Sequence, residues 1–233
     1  MRMSQTMEDR IPLSQPVDLV TVSREYGAGG SDFARALGVR LGWHVLDHDI
    51  IEQVAERLHV KAGFVERCDE QPPGWLDRIA ATLLISPPES PVQMETASVL
   101  TRDSIAEAAH VAMLESAESP PLIIVGHGAQ YIFRDRPGTI QVRLTGSIES
   151  RAARIIARNG GSEQEAAANA RRIDNQREAY VQRYFHHSWI DPLLFDVQFN
   201  TGRVGIDEAV HMVATLVESR ATAAPYLSQV NRT

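Results

Sequence analysis

Short apolar runs alternate with amphipathic stretches along most of the chain. Runs that suit buried strands lie at residues 18–23, 43–47, 121–126, 139–144 and 196–201. Stretches whose apolar positions recur at helical spacing lie at residues 31–41, 97–117, 148–158 and 206–219. Because strands alternate with helices, the pattern predicts an α/β fold with a five-stranded parallel sheet and helices on both faces.

The same pattern predicts one folded domain between two terminal segments that lie outside it. Residues 1–16 are polar and predict a flexible lead-in, residues 17–220 predict one α/β domain, and residues 221–233 predict a loose tail. Prolines interrupt residues 60–96, which we interpret as an insertion or a mobile flap. Within that stretch, residues 75–85 suit one short helix.

Composition and charge narrow the functional classes. Of the 233 residues, 43% are hydrophobic, which is enough for a sizeable core. A net charge of -7 makes the chain a poor binder of nucleic acid polymers, although a local arginine pocket can still hold a small phosphate. The sequence contains no run of about 18 apolar residues, so it predicts no membrane span. The single cysteine, Cys68, and an N-terminus without the apolar core of a secretion signal predict a cytoplasmic protein.

The clearest chemical motif follows the first predicted strand, where residues 23–31 run Ser-Arg-Glu-Tyr-Gly-Ala-Gly-Gly-Ser. A strand, a glycine-rich turn and a helix in this order surround a phosphate with backbone N–H groups and a positive helix end. When the P-loop pattern G-x-x-x-x-G-K-[ST] is laid on this turn, Gly29 matches the second glycine, Gly30 the lysine, and Ser31 the magnesium-binding hydroxyl. The alternative is a tight turn whose glycines serve geometry only.

The turn has no lysine to reach the β- and γ-phosphates. Lys61 is the only lysine among 23 basic residues, and Ala62 follows it, so the chain has no standard P-loop lysine. Arg24 stands at the mouth of the turn, on the first glycine of the pattern. Because arginine binds phosphate bidentately, Arg24 is the candidate to replace the lysine.

Three blocks of sequence resemble the cytidylate kinase-like family, a branch of the nucleoside monophosphate kinases. The first block is residues 23–30, which are followed, as in the family, by a helix and a short strand that ends in Asp47. The second block, residues 124–137, is similar to the family's central strand and loop, and the third, residues 171–205, to its lid and last strand. The likeness runs from about residue 20 to residue 217.

The resemblance implies a three-layer P-loop fold and phosphoryl transfer from ATP, with Mg²⁺, to a nucleoside monophosphate, CMP or dCMP. It also implies that residues 160–192 form a helical lid and that residues 60–96 are a flap on the acceptor side. A loop without lysine is usual in this branch. The expected cradle for the ATP phosphates consists of Tyr26, Gly27, Ala28, Gly29, Gly30 and Ser31, with Ser31 also on Mg²⁺.

The expected acceptor-binding residues are Asp47, His127, Arg134, Asp174 and Arg177. Asp47 lies at a strand end, where open α/β sheets bind ligands, but it equally suits the N-cap of a helix over residues 47–52. Asp174 and Arg177 match positions that hold the acceptor in cytidylate kinases. His127 stands where those kinases have the arginine of Gly-Arg-Asp, and a neutral imidazole does not replace a guanidinium fork. Arg134 and Arg136 follow a few residues later and are candidates for the same phosphate.

A long helix begins with the capping-box sequence at Ser162 and extends to about residue 186. It carries Arg171, Arg172, Arg177 and Arg183. Phosphoryl transfer depends on positioning and on cations, so Arg24, Arg177 and Arg183 are the expected catalytic residues. The alternative for the helix is a solvated face whose arginines pair with neighbouring carboxylates.

Two further functions stay open at this point. A non-catalytic nucleotide sensor or interaction module is favoured by Gly30 and His127, which depart from the kinase patterns. The second open function is that of a kinase that phosphorylates another small acceptor. The expected partners are small nucleotides, without a nucleic acid polymer or a membrane, and the sequence does not determine the oligomeric state.

Overall fold

The computed structural model describes residues 16–47 and 102–230. The strands are β1 (Leu19–Arg24), β2 (His44–Leu46), β3 (Leu122–Val125), β4 (Thr139–Thr145) and β5 (Val197–Asn200). The helices are α1 (Gly30–Leu41), α2 (Arg102–Ser116), α3 (Ala129–Ile132), α4 (Ile148–Asn159), α5 (Glu163–Phe185) and α6 (Ile206–Val230). A 3₁₀ turn, Pro192–Leu194, precedes β5.

The five strands form one sheet in the order β2-β3-β1-β4-β5. Every neighbouring pair is parallel, and β1 lies in the centre, where Val22 is paired with Val125 on one side and Val142 on the other. Parallel strands need crossover connections, and the helices supply them. The predicted five-stranded parallel α/β fold is confirmed.

Alternate side chains of the central strands enter two separate cores. Val20 and Val22 belong to a core that α1 and α6 cover, whereas Leu19 belongs to a second core that α2 and α3 cover. Because both faces of β1 are covered, five of its six residues are buried, in agreement with the buried strand that residues 18–23 predicted. The helices therefore lie on both faces, as expected.

Helix ends follow the predicted local signals. The Ser162 side chain accepts a hydrogen bond from the Glu165 N–H, and the Glu165 side chain accepts one from the Ser162 N–H, which is the predicted capping box. Gly42 ends α1 in a left-handed conformation (φ 69°). Helix α6 extends to Val230 rather than to residue 219. The alanine-rich sequence beyond residue 220 favours helix, which the periodicity of apolar positions did not reveal.

Two short elements were not predicted. Helix α3 has only four residues, and the 3₁₀ turn has three, too short for a period to be visible in the sequence. The predicted elements at residues 47–52 and 75–85, and the flap at residues 60–96, lie outside the described residues. Within the described part of the chain, no helix combines the length and apolar character that a membrane crossing requires.

Candidate active site

The carboxyl ends of the central strands bring several loops to one edge of the sheet. The glycine loop, residues 24–29, leads from the last residue of β1 to α1, and residues 126–128 connect β3 to α3. Gly146 follows β4 and Thr201 follows β5 at the same edge. Ligands of open α/β sheets bind at this edge, next to the central strand.

Two glycines of the loop adopt backbone conformations that other residues rarely reach. Gly27 has φ 80° and Gly29 has φ 86°. A Cβ on Gly27 would lie 2.9 Å from the Arg151 carbonyl oxygen, and a Cβ on Gly29 would lie 2.8 Å from Ile206 Cδ1. Both positions therefore require glycine for the backbone angle and for space.

Glycine is required at position 30 for a different reason, because the Arg24 side chain packs directly over this residue. A Cβ on Gly30 would lie 2.5 Å from Arg24 Cγ. A Cβ on Gly126, after β3, would meet the Arg24 guanidinium at Nη1. The stem of Arg24 thus packs over the position that matches the P-loop lysine, and its guanidinium reaches the end of the neighbouring strand.

Three guanidinium groups hold the carbonyl oxygens of the loop. Arg177 Nη1 donates to Arg24 O at 2.8 Å, Arg151 Nη1 donates to Tyr26 O at 3.0 Å, and Arg154 Nη1 donates to Gly27 O at 2.6 Å. These arginines come from α4 and α5, so both helices fasten the loop. Their charge-assisted hydrogen bonds fix the loop in one conformation before a ligand arrives.

The hydroxyl of Thr201 adds a further link to the loop. It donates to Ala28 O at 2.9 Å, and the Thr201 carbonyl accepts from Arg154 Nη2 at 3.1 Å. The loop that follows β5 is thereby tied both to the glycine loop and to α4.

Several backbone N–H groups before and at the start of α1 could together hold an anion. Among the described residues, no hydrogen-bond acceptor is present for the N–H groups of Gly27, Gly29, Gly30 and Ser31. The first N–H groups of a helix have no intrahelical partner, and the helix dipole adds positive potential there. This geometry suits a phosphate, and it involves four of the six predicted cradle residues.

Asp174 contacts the loop with one carboxylate oxygen and Arg151 of α4 with the other. Tyr26 N donates to Oδ1 at 2.8 Å, and Arg151 Nη1 donates to Oδ2 at 2.6 Å. Glu25 lies close by, 3.4 Å from Arg151 Nε, and accepts from Gly146 N at 3.0 Å. In this conformation Asp174 therefore joins α5 to the loop, and the Tyr26 N–H is engaged by it.

The two predicted catalytic arginines of α5 lie in different places. Arg177 is at the glycine loop, with its Cζ 5.8 Å from the centre of the Tyr26 ring. Arg183 is near the end of α5, where it lines an open cavity of about 570 Å³ together with Glu107, His110 and Tyr184. The structure brings Arg177, but not Arg183, against the loop backbone.

His127 lies in a strained turn beside this cavity. Its φ is 50°, between Gly126 (φ 81°) and Gly128 (φ 78°), and a Cβ on Gly128 would meet the Phe185 ring. His110 on α2 is 3.1 Å from the Tyr180 hydroxyl through Nε2. Burial lowers the pKa of His110, and the nearby His127 lowers it further, so the His110 imidazole is neutral at pH 7.

The other predicted residues lie at varying distances from the loop. Asp47 directly follows β2, at the same edge of the sheet, and Arg134 is exposed after α3. Arg136 is at the opposite end of β1, where its Nη1 and Nη2 donate to Asp18 at 2.5 and 3.0 Å. Arg136 is therefore not part of the site, because its guanidinium is paired where β1 begins.

Sequence reasoning missed the contribution of α4. Arg151 and Arg154 bind the loop, yet the sequence suggested only an amphipathic helix at residues 148–158. A usable signal was present, since residues three apart lie on one helix face and these two arginines are three apart. Glu25 and Thr201 carried no comparable signal, because their partners come from distant parts of the chain.

The fold and the glycine loop define a P-loop kinase-like protein. A model of the cytidylate kinase-like family matches residues 19–203, and the chain belongs to this family. No curated protein sequence matches the chain significantly. The family membership supports a kinase-like phosphotransferase function.

Solved structures with the same fold include proteins of several activities. An uncharacterized protein from Eubacterium ventriosum has 23% identity and a TM-score of 0.63, over 88% of this chain and 99% of that one. A gluconokinase from Sinorhizobium meliloti has 15% identity and a TM-score of 0.51, over 91% and 98%. A shikimate kinase from Bacteroides thetaiotaomicron has 15% identity and a TM-score of 0.50, over 88% and 99%. At these identities the likeness concerns the fold.

Proposed function

We propose that this protein transfers a phosphoryl group from ATP to a nucleoside monophosphate, with CMP or dCMP as the first candidates. The observation that carries the proposal is the set of unengaged N–H groups of Gly27, Gly29, Gly30 and Ser31, flanked by the Arg24 side chain where a P-loop lysine would lie. Such a cradle binds the phosphates of a nucleotide through backbone dipoles and one cation.

The charge around the loop suits a polyphosphate. The guanidinium groups of Arg151, Arg154 and Arg177 contact loop carbonyls, and Arg24 crosses the loop. Glu25 and Asp174 place two carboxylates at the loop and at Arg151. A cluster of guanidinium groups favours a ligand that carries several negative charges.

The donor site also offers a ligand for Mg²⁺. Ser31 lies in the first turn of α1, next to the cradle, so its hydroxyl is the group that would hold the ion. Bound Mg²⁺ neutralises phosphate charge and orients the transferred group.

The proposed acceptor residues come from the segments that follow β2 and β3 and from α5. They are Asp47, His127, Arg134, Asp174 and Arg177. His127 contributes an imidazole rather than a guanidinium fork, so binding of the acceptor phosphate depends on the arginines. Because His127 stands where cytidylate kinases have an arginine, the identity of the acceptor is what an experiment has to establish first.

The residues of the chain would act mainly by positioning and by cation supply. Arg24 and Arg177 lie at the loop, and Arg183 would join them when residues 160–192 close as a lid. Their charge stabilises the developing charge on the transferred phosphoryl oxygens, and lid closure excludes water that would otherwise hydrolyse ATP. No covalent intermediate with the protein is required.

The acceptor is tested by measuring ADP production with Mg-ATP and a panel of CMP, dCMP, UMP, AMP and GMP. We expect turnover confined to CMP or dCMP, well above the rate with ATP alone. Turnover only with a different small acceptor would support a phosphotransferase activity but with that acceptor instead of CMP or dCMP. ATP binding without turnover on any acceptor would reject the enzyme.

A non-catalytic nucleotide sensor is the second candidate. Asp174 occupies the Tyr26 N–H at 2.8 Å and Arg151 at 2.6 Å, which gives the loop a stable arrangement without a substrate. A sensor would change this contact upon nucleotide binding and would show no dependence of ADP release on an acceptor. The same panel therefore distinguishes both candidates.

A further inference from the structure

One buried charge in the fold has no role in the site described so far. Four polar side chains point to one face of the sheet from β1 and β4, and all are buried: Thr21, Ser23, Gln141 and Arg143. Arg143 is only 2% exposed and pairs in register with Ser23, the residue before Arg24. The opposite face of the same strands is apolar, so this polar row is not a general property of the sheet.

Within the described part of the chain, Arg143 forms hydrogen bonds and ring contacts but no ion pair. Its Nη1 donates to Trp189 O at 3.0 Å and to Ser23 Oγ at 3.4 Å. Its Cζ lies 4.7 Å from the centre of the Trp189 ring and 5.4 Å from that of Phe195. No carboxylate in the described residues lies within 4.0 Å of the guanidinium.

Burying a charge without a counter-ion is costly, and cation–π contacts offset only part of that cost. An apolar residue would suit a buried β-strand better, so the retained guanidinium calls for a function. Burial lowers the pKa of Arg143, while Glu25 and Asp174 raise it. Glu25 and Asp174 contact the glycine loop and Arg151, and Ser23, which accepts from Arg143, comes two residues before Glu25. Arg143 therefore lies close to the start of the loop.

We propose that Arg143 is a positioning residue for the donor phosphates: a buried cation beside Ser23, close to where the chain leaves β1 for the glycine loop, that favours anionic ligands in the cradle. It acts through its field in a low-dielectric site, and through Ser23 and Trp189, rather than by touching the nucleotide. This inference rests on the proposed function, because it assumes that the cradle binds nucleotide phosphates.

The test compares a neutral and a charged replacement. Arg143→Met removes the charge and keeps much of the volume, whereas Arg143→Lys keeps the charge. Dissociation constants for AMP, ADP and ATP are measured by calorimetry at low ionic strength. For Arg143→Met we expect a loss that grows with ligand charge and reaches on the order of tenfold for ATP, whereas Arg143→Lys keeps most of the affinity.

Arg136→Met is the matched control, since Arg136 pairs with Asp18 at the opposite end of β1. It is expected to leave all three dissociation constants within about twofold. Equal losses for AMP and ATP in Arg143→Met, or an equal loss in Arg143→Lys, would overturn the proposal and indicate a packing role.

Folding is followed by thermal unfolding of every variant. If Arg143→Met does not fold, Arg143→Gln serves as the neutral variant, because its amide can still donate to Trp189 O. Failure of both to fold, while Arg143→Lys folds, would assign Arg143 to stability alone and reject the positioning role. If the wild-type protein binds no ATP, the proposed function fails, whereas unchanged affinity in the neutral variants rejects only the inference on Arg143.

Discussion

Arg24 and Gly30 share one space at the mouth of the glycine loop. The close approach of 2.5 Å between Arg24 Cγ and the position of a Cβ on Gly30 explains why the residue in the lysine register is glycine. A lysine there would displace the arginine. At the residue scale, the absence of a lysine at position 30 and the path of the Arg24 side chain are therefore linked: the guanidinium comes from the end of β1, whereas a lysine would come from the start of α1.

Replacing Arg24 by alanine tests this exchange. We expect Arg24→Ala to lower kcat with the best acceptor by about 10²- to 10³-fold, because one preorganised donor to the transferred group is lost. Arg24→Lys should retain more activity than Arg24→Ala. The measurement is steady-state ADP production with saturating Mg-ATP.

Arg136→Ala is the control for this experiment, as it removes a guanidinium at the other end of β1. Its kcat is expected to stay within about twofold of the wild type. Unchanged kinetics in Arg24→Ala would contradict the assignment of the lysine's role to Arg24.

At the scale of elements, helices α4 and α5 hold the glycine loop through its carbonyl oxygens, whereas the cradle consists of N–H groups. Their arginines bind three loop carbonyls, and the ion pair of Arg151 with Asp174 joins the two helices, with side chains 8% and 15% exposed. The two helices pack along each other through Ala152, Ile155, Ala166 and Ala170. A movement of α5 therefore has to break contacts at the loop itself.

Asp174→Asn tests the link between α5 and the loop. The asparagine can still accept from Tyr26 N, but it leaves Arg151 without this carboxylate. We expect the free energy of unfolding to fall by about 3 kcal/mol, because removing one partner of a largely buried ion pair is strongly destabilising. Chemical denaturation measures the change.

The exposed pair of Arg158 and Asp32, with side chains 60% and 35% exposed, provides the comparison. Arg158→Gln is expected to change the free energy of unfolding by less than about 1 kcal/mol. If Asp174→Asn were as mild as this control, the contact between α5 and the loop would not hold the two together.

The whole molecule assembles the site from segments that are far apart in sequence. Tyr26 and Asp174 are separated by 148 positions, and Arg24 and Arg177 by 153, yet each pair is hydrogen-bonded. The central position of β1 makes this possible, since β3 and β4 both lie beside it. Loss of the global fold therefore removes the cradle completely.

Nucleotide binding should accordingly stabilise the whole protein. A ligand at a hundred times its dissociation constant adds about 2.7 kcal/mol to the free energy of unfolding. For a domain of this size we expect millimolar Mg-ATP to raise the unfolding temperature by roughly 5–10 °C. Differential scanning fluorimetry measures the shift, with adenosine, which lacks phosphates, as the control ligand. The absence of a shift with Mg-ATP, or an equal shift with adenosine, would contradict phosphate binding by the cradle.

Much of the fold could be predicted because its signals are local. The apolar run at residues 121–126 predicted β3, the serine and glutamate at 162 and 165 predicted the start of α5, and the glycines before Ser31 predicted the loop. Periodicity and capping act over about four residues, so they can be recognised without knowledge of the fold. Arg24 could be named as a candidate for the same reason, because it adjoins the loop.

The partners of those residues are a matter of tertiary structure. The sequence by itself determined the parallel α/β sheet, the glycine loop and the arginines available to it. Only the strand order and the packing of α4 and α5 decided that Arg151, Arg154 and Arg177 contact loop carbonyls, that Asp174 faces Tyr26, and that Arg136 is at the far end of β1. The physical reason is that a side chain's partner depends on which distant segments the sheet places beside it, and no local pattern records that neighbourhood.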